Sequence, residues 1–136
     1  MSITLTALTI ASPPRASRLL VVEDDPRVRW VLCAILKQMG FECSTAGDGR
    51  EAIDAVAANA PDLILMDLMM PVLDGLEATR RLKADAATRA IPVLALTAND
   101  TPSGRSDAYQ AGCDDFVPKP VVMDDLIQRI RRHLRR

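Results

Sequence analysis

Leu63-Ile64-Leu65-Met66-Asp67, followed by Leu68-Met69-Met70-Pro71 and then Asp74-Gly75, is the stretch on which the reading of this chain turns. The run is continuously apolar up to its last residue, with Pro61-Asp62 ahead of it and a loop containing Pro and Gly behind. Such a run, without polar alternation, is the pattern of a strand buried on both faces. It ends in a carboxylate. An Asp at the carboxyl end of a central parallel strand stands where open α/β sheets hold their ligands, so Asp67 is a candidate for chemistry as well as for capping the loop that follows.

Working outward, strand and helix patterns alternate. Upstream, Arg18 to Val22 contains Leu-Leu-Val-Val and predicts a buried strand that ends at Glu23-Asp24-Asp25-Pro26. From Pro26, the apolar residues Val28, Val31, Leu32, Ile35, Leu36 and Met39 recur at helical spacing. Proline suits the first turn and Gly40 the stop, which predicts a first helix. Phe41 to Ala46 reads as a second strand. Asp48 caps a helix running to about Asn59 with Ala52, Ile53, Val56 and Ala57 on its inner face. Beyond the central strand, the Asp74-Gly75 turn leads into a helix over Leu76 to Leu82, and Pro92 to Thr97 is a fourth apolar strand ending in a hydroxyl. Ser103 to Ala111 is a short fourth helix stopped by Gly112. Phe116-Val117 begins a fifth strand, which Pro118 places at a sheet edge or ends, because proline cannot donate to a ladder. Met123 to Leu134 closes the chain as a helix with Leu126, Ile127, Ile130 and Leu134 inward and Asp124-Asp125 near its N-terminus. Strands alternating with helices in this way imply a parallel sheet with right-handed crossovers and both faces covered.

With 136 residues, 49% hydrophobic and 26% charged, the chain has the composition of one globular domain. Residues 1 to 17 read as a flexible tail and 18 to 136 as the domain. Ile3 to Ala11 is apolar and Thr-rich, but no Lys or Arg precedes it and it is too short to span a bilayer. Cys33, Cys43 and Cys113 are odd in number and lack C-x-x-C spacing, which argues against a disulfide framework or a zinc site and fits a reducing cytoplasm. They read as small core residues. The net charge of −1 hides an Arg-rich end, Arg129 to Arg136, better explained by the macrodipole at a helix C-terminus than by nucleic acid. His133 among those arginines is expected to be exposed, and Trp30 partly exposed. Gly47-Asp48-Gly49-Arg50-Glu51-Ala52 fits a dinucleotide fingerprint, but it follows the second strand rather than the first, whose acids would repel a pyrophosphate.

In a parallel sheet the strand carboxyl ends share one rim, so Glu23, Asp24, Asp67, Thr97 and Lys119 are expected to converge. Three carboxylates brought close together need a cation, and a hard divalent ion such as Mg2+ suits them. The hydroxyl and the lysine are then placed to hold phosphoryl oxygens.

The ordered set Glu23-Asp24, Asp67 with Met70-Pro71 and Asp74-Gly75, Thr97-Ala98, and Phe116 with Lys119-Pro120 resembles the receiver domain of two-component response regulators. The likeness runs from about Arg18 to the C-terminus, and five elements in order at compatible spacing make it specific. It implies a flavodoxin-like, doubly wound five-stranded parallel sheet of order 2-1-3-4-5, in a stand-alone, single-domain receiver, a relay shuttle or a piece of a longer protein. It further implies that Asp67 takes a phosphoryl group from a sensor histidine kinase or histidine phosphotransferase. By the same resemblance Glu23, Asp24, Asp67 and the main-chain carbonyl of Met69 hold Mg2+, Lys119 pairs with the phosphoryl oxygens, and Thr97 and Phe116 form the switch. A downstream protein would be met on the face of the fourth helix, fifth strand and fifth helix. Direct nucleic-acid or membrane contact is not implied, and a homodimer is compatible.

The chain departs from the commonest family pattern at several positions. Glu23 stands where Asp is usual, Phe116 lacks the phenolic hydroxyl of many members, and Ala98 leaves room for phosphoryl access. Met69 and Asn99 fall where side chains tune hydrolysis of the acyl phosphate. Two other functions compete: an Mg-dependent phosphatase with an aspartyl nucleophile, and an interaction domain independent of phosphorylation. The first often carries a second acid two residues after the nucleophile, where this chain has Met69; the second usually lacks the acceptor, the Lys or an acidic metal ligand, all of which are present.

Overall fold

The computed structural model describes residues 15–135. Most of the expected N-terminal tail, residues 1–14, lies outside the described residues, as does residue 136. Five strands form one parallel sheet: β1 (Arg18–Val22), β2 (Glu42–Ala46), β3 (Leu63–Asp67), β4 (Val93–Thr97) and β5 (Asp115–Pro118). Their order is β2-β1-β3-β4-β5, as the family resemblance implies. Five helices connect and follow them: α1 (Pro26–Gln38), α2 (Gly49–Ala58), α3 (Gly75–Ala84), α4 (Pro102–Ala111) and α5 (Met123–Leu134).

Alternation of side chains along each strand divides the core in two. Leu19, Val21, Leu63, Leu65, Leu94, Leu96 and Val117 face one side, where Leu32, Cys33 and Leu36 of α1 and Leu126, Ile127 and Ile130 of α5 cover them. Leu20, Val22, Ile64, Met66, Val93, Ala95 and Phe116 face the other side, against Ala52 and Val56 of α2, Ala78 and Leu82 of α3 and Ala108 of α4. Every residue of β3 and β4 is buried, which accounts for their unbroken apolar runs.

Helix starts are set by side-chain caps. Asp25 accepts from the amide of Arg27, Asp48 from Glu51, Asp74 from Glu77 and Thr101 from Gly104. Each satisfies an amide that the first turn leaves without an intrahelical partner. Because β1 and β3 end beside helix starts, the polar rim of the sheet becomes a built site.

The structure corrects several sequence expectations. Val28, Val31 and Met39 are exposed rather than inward, so the apolar stripe of α1 is wider than the sheet can cover. Val28, Val31, Leu32 and Ile35 instead line a cleft of about 490 Å³ with Val121 and Met123. Ala57 is exposed on α2, while Ala55 packs against the core. The fifth strand starts one residue early, at Asp115, a charged residue that apolar patterning passes over. His133 is not exposed: its side chain retains 12% of its accessible surface and its Nε2 lies 3.0 Å from Asp115 Oδ2. Arg129 Nη1 donates to Asp115 Oδ1 at 2.7 Å, and Arg132 Nη2 to Oδ2 at 3.3 Å. Part of the basic end of α5 thus closes on β5, a tertiary pairing that the macrodipole argument does not contain. Trp30 is 72% exposed.

Candidate functional site

Glu23 directly follows β1, Asp67 is the last residue of β3, Thr97 the last of β4, and Lys119 follows β5. Parallel pairing brings these ends to one rim: Val22 lies opposite Met66, Asp67 opposite Leu96, and Thr97 opposite Pro118. Backbone hydrogen bonds hold the loops beyond the strands. The Leu68 amide donates to the Leu96 carbonyl at 3.2 Å, Lys119 to Thr97 at 2.9 Å, and Gly75 to Leu68 at 3.3 Å. Gly75 must be glycine, since a Cβ there would sit 2.2 Å from the Asp67 carbonyl oxygen. The start of α3 is thereby pressed against the backbone of Asp67.

Glu23, Asp24 and Asp67 each present a carboxylate oxygen, all within 4.8 Å of one another. Glu23 and Asp67 are each only 4% exposed, whereas Asp24 is open to solvent. Lys119 Nζ reaches across the group, 3.2 Å from Glu23 Oε1 and 3.6 Å from Asp67 Oδ2. Asp67 Oδ1 accepts from the Met69 amide at 3.1 Å, which fixes the carboxylate plane. Arg29, one turn into α1, donates to the Glu23 carbonyl at 2.8 Å.

One lysine does not balance three acids. Burial, and then the Asp67 carboxylate beside it, push the Glu23 carboxyl up to about 7 against the pull of Lys119. Glu23 Oε2 is buried without a hydrogen-bond partner. An orphaned buried carboxylate oxygen within a trio of converging carboxylates fits a hard cation with oxygen ligands.

The remaining expected residues lie beside this centre. Thr97 is buried, and its Oγ1 accepts from the Asn99 amide at 3.1 Å. Asn99 Oδ1 in turn accepts from the Thr101 hydroxyl at 3.0 Å, and Thr101 Oγ1 caps α4 through the Gly104 amide. A path of hydrogen bonds therefore runs from the end of β4 to the start of α4. Phe116 pairs with Ala95 on β4 and points to the α2–α4 side, away from the carboxylates, with Arg105 stacked 5.2 Å from its ring centroid. The Met69 side chain is 66% exposed at the mouth of the site. Sequence reasoning did not single out Arg29, Arg105 or the Thr101 link. Only Thr101-Pro102, a capping hydroxyl before a first-turn proline, carried a local signal.

The family model for the response regulator receiver domain matches residues 19–131. The response regulator MprA of Mycolicibacterium vanbaalenii is 44% identical over 119 residues, covering 88% of this chain and 51% of the relative, so the chain spans about half the length of that curated relative. Among solved structures, the receiver domain of sensor histidine kinase PA1611 from Pseudomonas aeruginosa, with a magnesium ion coordinated in its active-site cleft, superposes with a TM-score of 0.83. It is 35% identical and covers 89% of this chain and 99% of that one. The signal receiver domain of a histidine kinase from Syntrophus aciditrophicus also gives 0.83 at 35% identity, covering 88% and 90%. Rim chemistry, strand order and these likenesses agree, and the chain belongs to the response regulator receiver domains, the regulatory, phosphoryl-accepting modules of two-component signal transduction.

Proposed function

We propose that this domain is a phosphorylation-dependent switch in which Asp67 accepts a phosphoryl group from a phosphohistidine on a sensor histidine kinase or histidine phosphotransferase. The observation that carries the reading is the clustering of Glu23, Asp24 and Asp67 with Lys119 bridging Glu23 and Asp67. An Asp67 carboxylate oxygen attacks phosphorus while the N–P bond breaks, and the bonding electrons leave with the imidazole nitrogen. The Met69 amide orients the nucleophile through Oδ1. Lys119, already within reach of both acids, turns to the phosphoryl oxygens and offsets the charge they bring. Hydrolysis runs by water attack on the same phosphorus, with Asp67 as the leaving group.

Glu23, Asp24 and Asp67, with the main-chain carbonyl of Met69, would hold Mg2+, which supplies charge neutralisation for phosphoryl oxygens when bound. The buried, partnerless Glu23 Oε2 supports that assignment.

Switching starts at Thr97. Its hydroxyl accepts from Asn99 and retains its own proton to donate to a phosphoryl oxygen. Rotation of Thr97 pulls on the Asn99–Thr101–α4 path, and Phe116 and Arg105 repack where β5 meets α4. The α4-β5-α5 face then changes shape for a downstream protein in the cytoplasm or for a second copy of the domain, by population shift between two surfaces. The test is intact-mass measurement after incubation with acetyl phosphate and Mg2+. A phosphoryl adduct on the wild type and none on Asp67→Ala supports the reading; no adduct on either, or equal adducts on both, contradicts it.

A further inference from the structure

Glu23 and Asp24 are joined by a single peptide group, whose carbonyl oxygen belongs to Glu23. Arg29 Nη1 donates to that oxygen at 2.8 Å in a partly buried contact. The donor is charged, which makes such a bond stronger than one between neutral groups. On the other side of Glu23, its amide donates to the Ala46 carbonyl of β2 at 3.1 Å. Asp25 is fixed in turn by its cap on the Arg27 amide. Between the end of β1 at Val22 and the start of α1 at Pro26, the chain is therefore tied before, within and after the Glu23–Asp24 peptide.

We propose that Arg29 is a positioning residue for the divalent cation: by gripping the peptide between Glu23 and Asp24, it holds both carboxylates in the directions from which they converge on Asp67. The role rests on Glu23, Asp24 and Asp67 being the Mg2+ ligands.

A peptide plane is rigid, so with its carbonyl free, ψ of Glu23 and φ of Asp24 could change together, turn the plane and re-aim both side chains. The three carboxylates have oxygens within 4.8 Å of one another, and their repulsion favours such a turn. Lys119 ties Glu23 to Asp67, while Asp24 is exposed and is restrained by Arg29 through the backbone. The guanidinium is seated against Gly47, where a Cβ would lie 3.1 Å from Arg29 Nη1 and 3.1 Å from Glu51 Oε2. Glu51 Oε1 accepts from the Gly47 amide at 3.3 Å, and Asp48 Oδ1 accepts from the Glu51 amide at 2.8 Å. Gly49 then donates to the Leu73 carbonyl, in the loop that follows Asp67, at 2.9 Å, and a Cβ there would lie 2.3 Å from that oxygen. The Gly47-Asp48-Gly49 run, whose spacing fits a dinucleotide fingerprint, is thus wedged between Arg29 on one side and the β3–α3 loop on the other. The effect of Arg29 on the cation runs opposite to its charge. By charge alone a guanidinium near a cation site opposes the cation, so removing it would tighten binding. Removing a group that orients the ligands loosens binding instead, by about 10-fold or more.

The experiment titrates Mg2+ alone into the folded chain and follows amide resonances by NMR, a reading that needs no phosphoryl transfer. In the wild type, amides around Glu23, Asp24 and Asp67 should shift and saturate. Arg29→Met keeps the aliphatic stem but loses donor and charge, and is expected to weaken Mg2+ binding about 10-fold. Arg29→Lys, one atom shorter but still a donor, should lie between the two. Lys37→Met removes a charge from the exposed side of the same helix and should bind within about 2-fold of wild type. Should Arg29→Met not fold, Arg29→Gln, too short to reach the carbonyl, replaces it with the same expected loss. The proposal is overturned if loss of the Arg29 donor leaves Mg2+ bound as tightly as in wild type or more tightly, if Lys37→Met loses as much, or if Arg29→Lys binds no better than the variant without a donor. A wild type whose amides at the three acids ignore Mg2+ contradicts the metal assignment itself and the role of Arg29 with it, so the two failures are distinguishable.

Discussion

At the scale of single residues, the electrostatic cost of the site is concentrated on Glu23. Its carboxyl is buried beside Asp67 and titrates near 7 instead of the ordinary 4.5. A folded value above the unfolded one means that Glu23 favours the fold fully below about 4.5, and that this contribution is lost as pH rises through about 7. In melts without divalent cation, wild type should therefore lose stability relative to Glu23→Gln as pH is raised from about 5 to about 8, the variant melting higher at the alkaline end. Parallel curves over that range would show that Glu23 is not buried as described. Met69 belongs to the same scale. Its exposed side chain stands at the mouth of the site, where a polar group can orient an attacking water. Met69→Asn is expected to change the lifetime of the phosphorylated form several-fold, read from the decay of the phosphoryl adduct; equal decay rates for variant and parent would remove Met69 from the account.

Among elements, the close approach of α3 to β3 and the docking of α5 on β5 carry the most weight. Gly75 lets the first turn of α3 lie on the Asp67 peptide, so Gly75→Ala forces the two apart at a cost of about 1–3 kcal/mol. It should also slow labelling by acetyl phosphate, because the backbone that carries Asp67 shifts. Unchanged denaturation midpoint and labelling rate would contradict the packing described. At the other end of the sheet, Asp115 is a buried carboxylate. Burial alone would raise its pKa, but the Phe116 amide, His133 and Arg129 hold it below the ordinary 3.8. Its stabilising contribution is present above about 3.8 and is lost as pH falls through the lower folded value. Asp115→Asn should cost about 1–3 kcal/mol at neutral pH, since it removes one of the two carboxylates that Arg129 pairs with, Asp125 being the other, and weakens the buried hydrogen bonds at Asp115. In urea titrations the deficit should shrink as pH approaches the acid limb; a variant as stable as wild type at pH 7 would show the network to be dispensable.

Across the whole molecule, what could be read in advance followed from short-range physics. The unbroken apolar runs of β1, β3 and β4 are legible because both their faces are covered, and the capping Asp48 and Asp74 mark helix starts directly. Glu23, Asp67, Thr97 and Lys119 were foreseeable as a group because parallel connectivity sends every strand end to one rim. Features built from long-range pairs were not. Asp115 and His133 come together across a turn and a helix, and Arg105 stacks on Phe116 from another element. The surplus apolar width of α1 could not be told from a core stripe, because periodicity records which residues are apolar and not what covers them. The central claim, that the buried acid at the tip of β3 takes the phosphoryl group, rests on one atom position, so it is best tested by chemical trapping. Borohydride reduces an aspartyl phosphate to homoserine. After incubation with acetyl phosphate and Mg2+, homoserine should be found at position 67 alone. Homoserine at another acid such as Asp24, or an unmodified Asp67 in a chain that carries phosphoryl mass, would contradict the account.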